Sequence, residues 1–107
     1  MTKFISTGST YWISDEEIQI HEKNATNGDK NSAFKLYQYH MFVSLDQDLE
    51  FKWLEIAAKN GHPIAQSNLA DLFFTQGNKE KAIFWAKKAY RNGAKLPDEL
   101  KILININ

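Results

Sequence analysis

The chain has 107 residues, of which 43% are hydrophobic and 13% aromatic, so it has room for one folded domain with a modest core. Its 13 basic and 13 acidic residues cancel, which argues against a dedicated nucleic-acid binder, and it has no cysteine for disulfides or thiolate metal sites. It has no apolar run of the roughly 20 residues that cross a membrane and no secretory signal pattern. We therefore expect a cytoplasmic protein that binds neither membrane nor nucleic acid.

The first predicted helix covers residues 14–26. Ser14 and Glu17 have the spacing of a capping box, in which the serine oxygen accepts from the first turn and the glutamate reaches back. Asn27 and Gly28 follow the helix, and glycine takes the left-handed conformation that closes a helix without steric cost. We assign residues 1–13 to an N-terminal extension and 14–28 to a capping helix.

Four longer helices and one short helix follow in the prediction. The longer ones cover residues 31–43, 47–60, 63–75 and 78–92. Asp46 is placed to cap the third helix, and Pro63 lies just inside the fourth, where its missing N–H costs nothing. Pro97 can begin the short sixth helix. The last six residues fit either a helix or a strand, and the sequence leaves this alternative open.

These helices recur in pairs. The segment from Trp53 to Gly61 aligns with the segment from Trp85 to Gly93, with tryptophan, alanine, asparagine and glycine coinciding. Asn-Gly also ends the first predicted helix, one period before Gly61. A period of about 32–33 residues is typical of helical-repeat proteins. We assign residues 29–61 to repeat one, 62–94 to repeat two and 95–107 to a C-terminal cap of a single domain, 1–107.

The second repeat resembles the Sel-one-like repeat, a relative of the tetratricopeptide repeat. The residues that carry the resemblance are Ala65, Leu69, Ala70, Phe73, Lys81, Ala82, Trp85, Ala89, Asn92 and Gly93. The resemblance implies an all-α fold, a short right-handed superhelix of stacked antiparallel helix pairs with about five to six helices. It also implies protein–protein scaffolding, and some small bacterial members of the family neutralise a secreted toxin.

The resemblance further implies a concave binding face, because the first helix of each pair lines the inside of such stacks. In this register the face carries Phe34, Gln38, Met41, Phe42, Ser67, Asp71 and Phe74. Three phenylalanines and a methionine are more than a solvated groove should expose, and exposed apolar patches tend to be binding sites. The alternative is that the N-terminal segment folds back and covers this face with its own apolar residues, which are Phe4, Ile5, Tyr11 and Trp12.

The fifth predicted helix is basic and forms the predicted rim of the binding face. Lys87, Lys88 and Arg91 lie on it, while the acidic residues lie mainly in the first and third helices. One interpretation is a solvated helix face whose cations complement the helix dipole. The other is a contact surface for an acidic partner, in which complementary charge speeds association.

Catalytic and metal-binding patterns are not found. His21, His40 and His62 fall on three different elements rather than at the short local spacing of a zinc site. Asp46, Asp48 and Glu50 alternate as in a calcium loop but lack its glycine and its distant glutamate, and no nucleophile motif or phosphate-binding loop is present. We therefore expect no catalytic residue, metal or cofactor.

The predicted function is stoichiometric binding of a cognate protein. Within that class the resemblance favours a bacterial immunity or antitoxin-like protein that neutralises a toxin. A general adaptor or assembly scaffold is the alternative, and an enzyme with an unrecognised site is a third possibility.

Overall fold

Residues 10–106 are described by the computed structural model, and in this range the chain is entirely helical apart from its connections. The helices are α1 (Asp15–Thr26), α2 (Lys30–Phe42), α3 (Gln47–Lys59), α4 (Pro63–Thr75), α5 (Lys79–Arg91) and α6 (Asp98–Leu103). The predicted bounds of the first five helices are correct to within one residue. The sequence leaves helix and strand open for the C-terminal segment. The structure shows a helix as far as Leu103, followed by a turn.

The helices pack in adjacent pairs, which confirms the predicted all-α fold. α2 packs along α3, and α4 packs along α5, while α3 and α4 join the two pairs. α1 packs against α2, and α6 contacts the end of α5. The two terminal helices therefore lie at the two ends of the stack of helix pairs.

Local hydrogen bonds set the starts of the helices. In the capping box, the N–H of Glu17 donates to Ser14 Oγ over 3.2 Å, and the N–H of Ser14 donates to Glu17 Oε1 over 3.0 Å. Asp46 caps α3 by accepting from the N–H of Leu49 at 3.1 Å. These bonds satisfy backbone donors that have no partner inside the helix, which is why the predicted starts are accurate.

The core combines small and large side chains from all six helices. Leu36 and Leu69 are completely buried, and Trp53 and Trp85 are 2% and 9% exposed. The alanines at 0% exposure allow close approach of the helix axes: Ala33, Ala57, Ala65, Ala70, Ala82, Ala86 and Ala89. Such dense packing of small residues explains why the alanine pattern recurs between the repeats.

The turn within each helix pair contains a residue in the left-handed backbone conformation. In the α4–α5 turn this residue is Gly77, with φ of +81°, and in the α2–α3 turn it is Leu45, with φ of +57°. Position 77 lies one repeat period after position 45, so the two residues are equivalent in the repeat. A leucine in this conformation is strained, because its Cβ approaches the backbone carbonyl.

Candidate functional site

The predicted binding face lies on α2 and α4, the first helices of the two pairs. Four of its residues are half-buried on α2: Phe34, Gln38, Met41 and Phe42. On α4, Ser67 is buried, Asp71 is exposed and Phe74 is half-buried. Phe34, Met41 and Phe74 also pack against the hydrophobic core. The apolar part of the face therefore shares its side chains with the core.

Two contacts join α2 to the start and middle of α4. Asn68 Nδ2 on α4 donates to the hydroxyl of Tyr37 on α2 over 3.2 Å. The ring of Phe34 stacks on the imidazole of His62, with centroids 4.0 Å apart and an interplanar angle of 15°. These contacts place the first half of α2 beside the first half of α4. Burial of the Tyr37 side chain raises the pKa of its hydroxyl.

His62 is a residue of the site that the sequence interpretation missed. It caps α4, and its Nδ1 accepts from the N–H of Ala65 over 3.2 Å. Because Nδ1 is the acceptor, the neutral ring carries its proton on Nε2, which is then a donor. Burial lowers the pKa of His62, and the positive charge of Lys30 lowers it further. The clue in the sequence is its position directly before a proline that starts a helix.

A cleft of about 740 Å³ opens beside His62. One wall is the start of α4 and the other is the connection 93–97 between α5 and α6. The lining residues are His62, Pro63, Ile64, Ser67, Asn68, Gly93, Ala94, Lys95, Leu96 and Pro97. A cleft of this size with mostly apolar walls and a few polar groups is typical of a binding site.

The cleft has polar groups that the protein itself does not use. Ser67 is only 8% exposed, yet its hydroxyl has no hydrogen-bond partner among the described residues. The backbone N–H groups of Lys95 and Leu96 also lack an acceptor within residues 10–106. Ser67 is therefore the residue of the predicted binding face that lines this cleft, and the backbone N–H groups of Lys95 and Leu96 lie in the same cleft without an acceptor in the described residues.

The other end of the face is covered by the chain's own residues. The ring of Tyr11 stacks on Phe42, with centroids 4.6 Å apart and an interplanar angle of 20°. Ile13 is buried, whereas Trp12 is 60% exposed and covers little. The predicted covering of the face by the N-terminal segment therefore applies to Phe42. The other two predicted covering residues, Phe4 and Ile5, lie outside the described residues.

Asp71 lines a smaller hollow of about 280 Å³ in the middle of the face. Tyr37 and Asn68 lie in its wall, together with Glu50 of α3. Burial raises the pKa of Glu50. This hollow is more polar and smaller than the cleft at His62, so it adds a hydrogen-bonding region between the two apolar ends of the face.

The predicted rim on α5 combines cations with exposed aromatic rings. Lys87 and Arg91 are exposed, and Lys88 Nζ lies 5.4 Å from the centroid of the Phe84 ring. Phe84 is 52% exposed. Cation–π contacts of this kind hold a lysine over a ring at little cost in solvation. The surface of α5 is thus both basic and aromatic.

The three histidines have separate surroundings. His21 Nδ1 lies 3.0 Å from Ser32 Oγ, and His40 Nδ1 lies 2.7 Å from Ser44 Oγ. In the part of the chain that the structure describes, no three histidine, aspartate or glutamate side chains come together as metal ligands. No helix in residues 10–106 is long and apolar enough to cross a membrane.

Comparison with known proteins finds a similar sequence in a bacterium. The chain is 33% identical over 95 residues to the uncharacterized protein YibG of Escherichia coli strain K12. The match covers 82% of this chain and 62% of that protein, so the chain spans less than two thirds of its relative. No profile of a known protein family matches the chain. No solved structure matches it either.

Proposed function

We propose that the protein binds a cognate protein stoichiometrically, through the face of α2 and α4 and the cleft at the start of α4. The observation that carries this proposal is the stack of Phe34 on His62, which connects the aromatic face to a 740 Å³ cleft. Aromatic anchors beside a concave, partly polar pocket are the usual centre of a protein interface.

The partner that we favour is a toxin, so that the protein acts in the cytoplasm as an immunity or antitoxin-like protein. This part of the proposal rests on the resemblance of residues 65–93 to the Sel-one-like repeat. Binding alone neutralises a toxin when the bound protein covers its active surface, so this role needs no catalytic residue in the chain. The alternative is a general adaptor or assembly scaffold that uses the same face. An enzyme with an unrecognised site is the least favoured of the three.

The basic α5 is proposed as the rim of the interface. Lys87, Lys88 and Arg91 would speed association with an acidic partner, while the aromatic residues would hold the complex together. Charges at a rim mainly change the association rate, whereas buried anchors change the dissociation rate.

The test begins with the reading frames next to this gene. Each product is co-expressed with the protein, and the mass of any complex is measured by light scattering after gel filtration. We expect a 1:1 complex with a neighbour that is toxic when expressed alone. A neighbour that binds without being toxic would favour the adaptor. The absence of any complex with either neighbour would contradict the immunity role.

Paired variants then locate the interface on the protein. Phe34→Ala with Phe74→Ala should weaken the complex by about 2 kcal/mol or more, because truncated aromatic anchors carry most of the binding energy. Lys87→Ala with Lys88→Ala serves as the control and should change mainly the association rate. Melting temperatures are measured for both pairs. If the lysine pair abolishes binding and the phenylalanine pair only unfolds the protein, the interface is α5.

A further inference from the structure

The Ser67 side chain is 8% exposed, and its hydroxyl makes no hydrogen bond within the described residues, which is unusual for a serine inside a helix. Such hydroxyls normally donate to the carbonyl four residues earlier. In the described structure Ser67 makes no such bond, although it is 8% exposed and lines the cleft. The fully buried side-chain atoms without a partner in the described residues are His40 Nε2 and Trp53 Nε1, so the Ser67 oxygen reaches the open space of the cleft, where a ligand can bond to it.

The charges around the cleft favour an anion. Lys95 is a cation, and no carboxylate is among the residues that line the cleft. The positive charge of Lys30 acts on the His62 ring from the side of α2. The first turn of α4 has no acidic residue to offset the positive end of its helix dipole. Asp98, just beyond the lining, places its Oδ1 3.9 Å from Lys101 Nζ.

The connection between α5 and α6 favours an extended peptide. Residues 94–97 are neither helix nor turn. Within the described residues, the N–H groups of Lys95 and Leu96 and the carbonyls of residues 94–96 have no hydrogen-bond partner. An extended segment with free donors and acceptors can pair with a second extended segment. Across the cleft, Ile64 is 54% exposed and offers an apolar surface to a side chain of that segment.

We propose that the cleft binds an extended acidic segment of the partner protein, in which a carboxylate side chain lies within two residues of a branched apolar side chain. The carboxylate accepts from the Ser67 hydroxyl and from His62 Nε2, and Lys95 lies at the edge as its counter-charge. The apolar side chain packs between Ile64 and Leu96. This inference rests on the proposed function and names the part of the partner that the cleft recognises.

The test is selection from a display library of random twelve-residue peptides on the full-length, folded protein. We expect the enriched peptides to share an aspartate or glutamate within two residues of leucine, isoleucine or valine. One enriched peptide is then synthesised with blocked ends, together with a counterpart in which the acid is replaced by its amide. The amide counterpart should bind at least tenfold more weakly, because it lacks the charge that Lys95 and the helix dipole attract.

Variants of the protein show where the peptide binds. Ser67→Ala and Lys95→Glu should each weaken the acidic peptide at least fivefold. Lys23→Glu is the matched control, a charge reversal on the exposed surface of α1 outside both the cleft and the rim, and should change the affinity by less than twofold. Circular dichroism melts of all three variants check that they are folded. Each variant is also tested against the partner found by co-expression.

Several outcomes would overturn the inference. They are a selection that enriches no peptide, enriched peptides without a carboxylate, and an acidic peptide whose binding is unchanged by Ser67→Ala and Lys95→Glu. The proposed function fails separately, when no partner depends on Phe34 and Phe74. If binding of the partner depends on those phenylalanines but not on Ser67 or Lys95, the proposed function is supported, and the inference that the cleft binds an acidic segment of the partner is wrong.

Discussion

Asn92 donates a hydrogen bond from Nδ2 to Oε1 of Gln66 over 2.8 Å. Gln66 is 2% exposed, and its own Nε2 donates to the carbonyl of Ala58 over 3.0 Å. One buried amide therefore joins the C-terminal ends of α3 and α5, the second helices of the two pairs. The equivalent residue in the first repeat is Ala33, so this connection is specific to the second repeat.

Replacing Gln66 should destabilise the protein in a way that depends on the substitute. Gln66→Glu cannot donate to the Ala58 carbonyl and buries a carboxylate, so we expect a loss of about 2–3 kcal/mol at pH 7. Gln66→Met keeps the volume without the charge and should cost about 1–2 kcal/mol. Urea unfolding measures both. Gln19→Glu, on an exposed part of α1, is the control, and equal effects of all three changes would contradict the role of the buried amide.

Trp85 and its neighbour Phe84 allow a direct test of the core that the repeat predicts. Trp85 is 9% exposed, while Phe84 is 52% exposed. Their rings meet edge to face with centroids 5.1 Å apart. Trp85→Ala should cost about 3–5 kcal/mol because it leaves a cavity, and Phe84→Ala should cost less than about 1 kcal/mol. Denaturant melts of the two variants give the comparison, and a similar loss for both would place Trp85 outside the core.

Replacing Leu45 should increase the stability of the protein. Its φ of +57° is strained for a leucine, whereas Gly77 adopts the equivalent conformation freely. Its side chain is 72% exposed, so little packing is lost when it is removed. Leu45→Gly and Leu45→Asn should each raise the free energy of unfolding by about 0.5–1 kcal/mol. A loss of stability in both variants would mean that the leucine makes a contact that offsets its strain.

The sequence predicts the helices well because their ends are local. The capping box at Ser14, the Asp46 cap and the Asn-Gly ends each involve residues within about one helical turn, and such bonds form wherever the helix does. The strained turn at Leu45 was not predicted. The repeat alignment changes its offset within this turn, so Leu45 was not paired with the glycine that reveals its conformation.

The candidate site was predicted only in part, because its contacts join distant segments. The resemblance places Phe34 and Ser67 on one face, but the cleft also needs Leu96, which lies in the connection between α5 and α6, far along the chain from α4. The stack of Phe34 on His62 joins residues from different repeats. A repeat period gives the equivalent positions of the helices but not the residues that meet between them.

The protein should lose stability as the pH falls below about 6.5, because of two histidines. Burial lowers the pKa of His40, although Asp46 and Glu22 oppose this effect, and burial with Lys30 lowers the pKa of His62. The unfolded chain therefore binds protons at a higher pH than the folded chain. Their contribution to stability is complete above the unfolded value and is lost as the pH falls through the folded values.

Two variants distinguish the loss of stability caused by the histidines from the loss caused by carboxylates, which titrate at lower pH. His62→Asn retains a side-chain cap for α4 without a group that titrates, and His40→Phe introduces the residue found at the equivalent position, Phe73. The free energy of unfolding should fall less between pH 7.5 and pH 5 in each variant than in the wild type. An unchanged pH dependence in both variants would show that other groups cause it.

The stack of Tyr11 on Phe42 should contribute a measurable pairwise free energy, and a double-mutant cycle isolates it. The rings lie 4.6 Å apart and 20° from parallel, a geometry worth about 0.5–1.5 kcal/mol beyond the buried area. Tyr11→Ala, Phe42→Ala and the double variant are compared by urea unfolding, and the double variant should lose less stability than the sum of the single losses. Trp12→Ala with Phe42→Ala is the control cycle, because Trp12 is exposed, and its effects should add. Additive effects in both cycles would mean that Tyr11 does not hold the N-terminal segment on the binding face, and Phe42 would then be free for the partner.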